Sequence, residues 1–139
     1  MEISLVPKEY IDRVWPDIDA YAARCARYTY GRYTADDMRQ GVINNPAQQL
    51  WIAFDKEDNQ IYGAVVTQVH PYPRLTGLVM HFTGGKEIQK WKDPMLKLLR
   101  KFAKDNGCTI IESYGRTGWE RIFKNDGFKQ QFMFYELPV

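Results

Sequence analysis

The sequence predicts one α/β domain with a mixed, mostly antiparallel central sheet flanked by helices. Two patterns carry that expectation. The runs Leu50–Phe54 and Ile61–Val69 flank a polar turn, Asp55–Gln60, and so form a hairpin. Farther on, a helical pattern from about Lys86 to Asn106, stopped by Gly107, separates the apolar runs Leu75–Phe82 and Cys108–Ile111. A hairpin makes antiparallel neighbours and a strand-helix-strand crossover makes parallel ones, so one sheet holds both and needs helices to cover it. At 139 residues the chain is a single domain, 1–139. A chain of that size buries roughly two-thirds of its unfolded surface.

Each element follows from local pattern. Glu2–Val6 alternates polar and apolar residues and stops at Pro7, as a short first strand does. From Lys8 to Arg27, Tyr10, Ile11, Val14, Trp15, Ile18, Tyr21, Ala22 and Cys25 recur at three- and four-residue steps, the period of an amphipathic helix, with Pro16 a point of kink or restart. Thr34 followed by Asp37 is a capping pair that opens a second helix running to about Val42 or Ile43 and closed by Asn44-Asn45-Pro46. After the hairpin, in which Gly63 suggests a bulge or close approach, Pro71 and Pro73 bracket a turn before the Leu75–Phe82 strand. Gly84-Gly85 ends that strand and opens the basic helix. A short helix closes on Asn125-Asp126-Gly127-Phe128, and Phe132–Leu137 reads as a final strand, giving the order βααβββαβαβ.

Composition narrows the function classes. Nineteen Lys and Arg against seventeen Asp and Glu leave a net charge of +2, too small to imply nucleic-acid binding. Seven of the basic residues, among them Lys86, Lys90 and Lys92, crowd one helix, either as a solvated face or as an anion site. No apolar run reaches the roughly eighteen residues of a membrane span, and the N-terminus lacks a signal-peptide pattern, so a cytoplasmic protein is expected. Cys25 and Cys108 lack metal-ligand spacing and read as buried small hydrophobes; with His70 and His81 far apart, no metal is expected.

The element order, with the Gly107-Cys108 stop and the helix ending at Gly127-Phe128, resembles the GNAT superfamily of acyl-CoA N-acyltransferases. The run Gly115-Arg116-Thr117-Gly118-Trp119-Glu120-Arg121, together with Phe82-Thr83-Gly84-Gly85, is also similar to short bacteriophage-encoded GNAT-like proteins, some of which travel in the virion. The resemblance implies acetyl-CoA bound between the fourth and fifth strands and an amine as acceptor. The family's Gly-x-Gly pyrophosphate cradle aligns with Lys90-Trp91-Lys92, so the resemblance leaves a shifted site at Gly84 and Gly85, with Lys86, Lys90 and Lys92 supplying charge. Arg116 aligns with a residue that holds the pantetheine arm, and Trp119 with a small residue that lets it pass. Phe123 stands where the family often has a proton-donating Tyr, which makes Tyr114 the replacement acid.

His81 and Glu112 are the candidate bases. Strand alternation puts His81 with Val79 and Thr83, opposite Leu78, Met80 and Phe82, and sets Glu112 opposite Ile111. The same departures suit an inactive GNAT-like virion or host-interaction protein, with Trp91, Trp119, Tyr28, Tyr30, Tyr33 and Tyr72 anchoring a protein partner, possibly a phage structural protein. A nucleic-acid partner and a membrane are not expected.

Overall fold

The computed structural model describes residues 1–115 and 118–139. Five strands, β1 (Glu2–Val6), β2 (Gln48–Asp55), β3 (Gln60–Pro71), β4 (Thr76–Gly85) and β5 (Ile110–Ser113), form one sheet in sequential order. The first four are antiparallel neighbours, whereas β4 and β5 run parallel, because α3 (Lys92–Asp105) crosses over between them. The mixed sheet predicted from the hairpin and the crossover is therefore present.

Two helices precede β2. The first, α1 (Ile11–Ala26), runs through Pro16. The second, α2 (Ala35–Asn44), opens on the predicted capping pair: Thr34 Oγ1 accepts from the Asp37 amide at 3.1 Å, and Asp37 Oδ2 accepts from the Thr34 amide at 2.9 Å.

Alternation along the strands splits the core in two. Leu50, Ile52 and Val66 face Ile11, Trp15, Ile18, Met38 and Val42 of the α1–α2 layer, while Trp51, Ala53, Val65, Leu78 and Met80 face Trp91, Met95, Leu99 and Ala103 of the α3 layer. A short helix, α4 (Gly118–Ile122), follows β5. Phe123 beyond it stacks on Trp119 at 5.2 Å and meets Phe128 edge-on at 5.4 Å.

Three boundaries differ from expectation. β4 runs on through Gly84 and Gly85, and β5 starts two residues later than predicted. The basic segment is not one helix: Ile88–Lys90 forms a 3-10 turn, Glu87 takes a left-handed conformation (φ 50°), and α3 begins at Lys92. The Phe132–Leu137 segment is not a strand. Strand-type residues need a ladder partner, and this segment instead lies exposed, with Phe132 at 72%, Tyr135 at 81% and Leu137 at 88% of full exposure. Its contact is with the corner after α1, where Arg32 pairs with Glu136 at 2.5 Å and lies 5.2 Å from the Phe134 ring.

Candidate active site

The sheet opens at one place. β4 and β5 pair from Gly77 opposite Ile110 to Met80 opposite Ser113 and no farther, yet β4 stays paired with β3 to Gly85. The β4 backbone from His81 onward thus keeps a neighbour on one edge and loses it on the other. A bulge marks the point: Val66 pairs with Phe82 and Thr67 with Met80, so His81 is the extra residue. The bulge also shifts side chains between faces. Phe82 packs against the α1–α2 layer rather than sharing the Met80 face, which corrects the alternation predicted across His81.

Two polar clusters lie along β4, one at His81 where the strands part and one around Glu112 over Gly77, four residues back. His81 Nε2 lies 2.9 Å from Gln68 Oε1, which also accepts from Gln48 Nε2 at 3.1 Å. Burial, and secondarily the positive charge available to His70, holds the His81 imidazole below its ordinary pKa and so favours the neutral ring. Glu112, opposite Val79, accepts from the Tyr72 hydroxyl at 2.7 Å. That bond, followed by desolvation, pushes the Tyr72 pKa up to about 12. Gly77 makes room for the carboxylate: a Cβ there would lie 2.7 Å from Glu112 Oε2. Tyr72 also packs against His70, with ring centroids 4.4 Å apart. Tyr114 is exposed just past β5.

The residues assigned to the cofactor fall in different places. Gly84 and Gly85 lie within β4, paired with Ala64 and Gly63, and not in a loop. A Cβ on Gly84 would lie 2.9 Å from Cys25 Sγ, and one on Gly85 2.2 Å from the Tyr62 carbonyl oxygen, so both positions let neighbouring backbone and α1 approach closely. Lys86 Nζ sits 4.7 Å over the Tyr62 ring and donates to Gln60 Oε1. Lys90 pairs with Glu87 at 2.9 Å, which raises its pKa.

Lys92 is spent on structure: its ammonium pairs with Asp126 at 2.9 Å, donates to the Ile122 carbonyl and lies 5.9 Å from the Phe123 ring, fastening the segment after α4 to the start of α3. Trp119 lies against Gly115, where a Cβ would meet the tryptophan at 2.9 Å, so its side chain covers the chain leaving β5. Arg116 lies outside the described residues.

Gln48 and Gln68 are site residues absent from the sequence-based candidates, and Tyr72, expected there only as an anchor for a protein partner, holds Glu112 instead. A signal for two of them was present: Gln68, His70 and Tyr72 recur at every second position, the mark of one strand face.

Solved acetyltransferases share this architecture. Ribosomal-protein-alanine N-acetyltransferase from Brucella melitensis biovar Abortus 2308 matches over 100% of both chains with a TM-score of 0.69 at 14% identity. A probable acetyltransferase matches with a TM-score of 0.74 over 100% of this chain and 98% of its own, at 16% identity. The aminoglycoside N-acetyltransferase AAC(6')-Iy, solved in complex with CoA, matches with a TM-score of 0.68 over 99% and 95%, at 12% identity. No family model and no curated protein sequence matches the chain. The fold is that of the GNAT acetyltransferases.

Proposed function

We propose that the chain is an N-acetyltransferase that takes acetyl-CoA as donor and an amine as acceptor. The observation that carries this reading is the parting of β4 and β5 at His81, which puts an open strand edge beside an imidazole held neutral by burial. Acetyl-CoA would supply the acetyl group as a thioester, held along the β4 edge from His81 to Thr83. His81 takes the proton from the acceptor amine, since its lowered pKa keeps the ring neutral at physiological pH. Glu112, held by Tyr72, attracts the positive charge of the acceptor. Tyr114, past the end of β5, carries the hydroxyl proton that Phe123 lacks.

The phosphate end of the donor meets a different surface from a glycine cradle. The amides of Lys90 and Trp91 are used inside the 3-10 turn, bonding to the Glu87 and Ile88 carbonyls, and Pro94 in the first turn of α3 has no N–H. Trp91 covers Gly63 and donates to the Lys86 carbonyl at 3.0 Å. Side-chain charge would add to the first amides of α3, and Lys86 and Lys90 are the lysines placed to give it, since Lys90 is 53% exposed whereas Lys92 is 19% exposed against Asp126.

That turn also favours a second reading, in which the domain binds a protein partner without catalysis, as a virion or host-interaction component. The exposed Phe132–Leu137 segment would contribute to such contacts. The two readings part on one assay: thiol release from acetyl-CoA with a panel of peptide N-termini, polyamines and aminoglycosides, run with the wild type and His81→Gln. Release that depends on His81 supports the transferase. No release from any amine by folded protein supports the binder.

A further inference from the structure

We propose that Gln68 is a positioning residue that fixes the tautomer of His81, at the end of a chain of contacts that starts at Gly41 in α2. This inference deepens the transferase reading and rests on it only for its catalytic meaning. The contact order is Gly41 in α2, Gln48 in β2, Gln68 in β3 and His81 at the β4 bulge, so four elements set the state of one imidazole.

Gln68 Oε1 stands within hydrogen-bond distance of two nitrogens, Gln48 Nε2 at 3.1 Å and His81 Nε2 at 2.9 Å. An amide oxygen only accepts, so each nitrogen must bring a proton, and the neutral ring is then the Nε2–H tautomer with its basic lone pair on Nδ1. Turning the Gln68 amide over would place its NH2 against the Gln48 NH2, which Gln48 could accommodate only by turning over as well. The Gln48 amide packs against α2 where Gly41 leaves room for it, its Oε1 3.2 Å and its Nε2 3.9 Å from where a Cβ on Gly41 would be. Glycine at position 41 thus has a use in a helix interior where it otherwise costs stability.

The titratable group acting on His81 from β3 is His70; Gln48 and Gln68 are neutral and Phe82, adjacent on β4, is apolar. Gln68 therefore sets which nitrogen is basic without supplying charge.

Nitrogen NMR of the imidazole tests this in the intact protein, with His70→Asn used to tell the two histidines apart. The expected wild-type spectrum above the pKa shows Nε2 protonated and Nδ1 unprotonated. Gln68→Leu should let both nitrogens average toward a mixture of tautomers. Gln68→Glu, whose carboxylate also only accepts, should restore Nε2–H and move the titration to higher pH. An Nδ1–H ring in the wild type, or an unchanged tautomer in Gln68→Leu, would overturn the proposal. Because the readout needs no turnover, an inactive protein with the expected tautomer would remove the transferase reading and leave the positioning role intact. Active protein with the wrong tautomer would do the reverse.

Discussion

Met80 and Phe82 stand two residues apart in β4 and pack on opposite faces of the sheet, Met80 in the α3 core and Phe82 against the α1–α2 core. In a regular strand they would share a face. The bulge at His81 separates them, and it does so at the first β4 residue past the pairing with β5. One inserted residue therefore opens the wedge, re-aims the following side chains and places the candidate base.

Stability should depend on pH through His81. Its folded pKa lies below the ordinary value of 6.5, so the unfolded chain binds a proton more readily. The neutral-ring contribution is complete above about 6.5 and is lost as pH falls from there through the lowered folded value. His81→Gln should flatten that part of a urea-midpoint profile. In the transferase reading the rate stays level near neutral pH and falls only below 6.5. A rate still rising between neutral pH and 9 would assign the base elsewhere.

Trp91 and Gly63 should behave as one unit. A Cβ at Gly63 would lie 2.4 Å from the buried indole, so Gly63→Ala forces the ring to move. Trp91→Ala should cost roughly 3–5 kcal/mol and Gly63→Ala about 1–3 kcal/mol. In the Trp91→Ala background most of the Gly63→Ala cost should vanish, which urea unfolding of the four proteins would measure as a coupling energy. Additive costs would show that the contact does not set the fit.

Lys90 and Lys92 should separate cleanly. Lys90 is 53% exposed beside Glu87, and Lys90→Ala should change stability by at most about 1 kcal/mol. Lys92 and Asp126 are 19% and 14% exposed, and removing the ammonium leaves a largely buried carboxylate. Lys92→Met should cost on the order of 3 kcal/mol and speed amide exchange from Trp119 to Phe123. Equal effects of the two changes would contradict the role given to Lys92. Salt-sensitive acetyl-CoA affinity that drops at least about tenfold in Lys86→Glu/Lys90→Glu would place the diphosphate on those lysines.

The terminal segment should be dispensable for folding. Ending the chain at Gln131 removes the exposed run and the surface pair between Arg32 and Glu136, so unfolding free energy should change by about 1 kcal/mol or less. A truncated chain that fails to fold would mean that Phe132–Leu137 completes the sheet in solution.

Much of the fold was legible because its determinants are local. Asp55–Gln60 forces a hairpin, Thr34 and Asp37 cap α2, and Gly107 ends the crossover helix, each through residues within a few positions of one another. What was not legible depends on partners across the fold. Nothing beside His81 in sequence indicates a bulge, because the extra residue exists only relative to β3. Lys92 resembles its basic neighbours until Asp126 is brought against it from 34 positions away. Phe132–Leu137 has strand composition, but a strand also needs an edge to join. At the site, His81 and Glu112 were readable as titratable groups on strands, whereas Gln68 and Tyr72 acquire their roles only through contacts made by pairing and turn geometry.

In the transferase reading, donor and acceptor meet in the wedge between β4 and β5. Amide chemical-shift perturbation during titration with acetyl-CoA tests this most directly. The predicted result is a saturable shift concentrated at His81–Thr83 and at Ser113–Gly115, where the strands part. No perturbation at millimolar acetyl-CoA, or shifts confined to surface lysines away from the wedge, would contradict it.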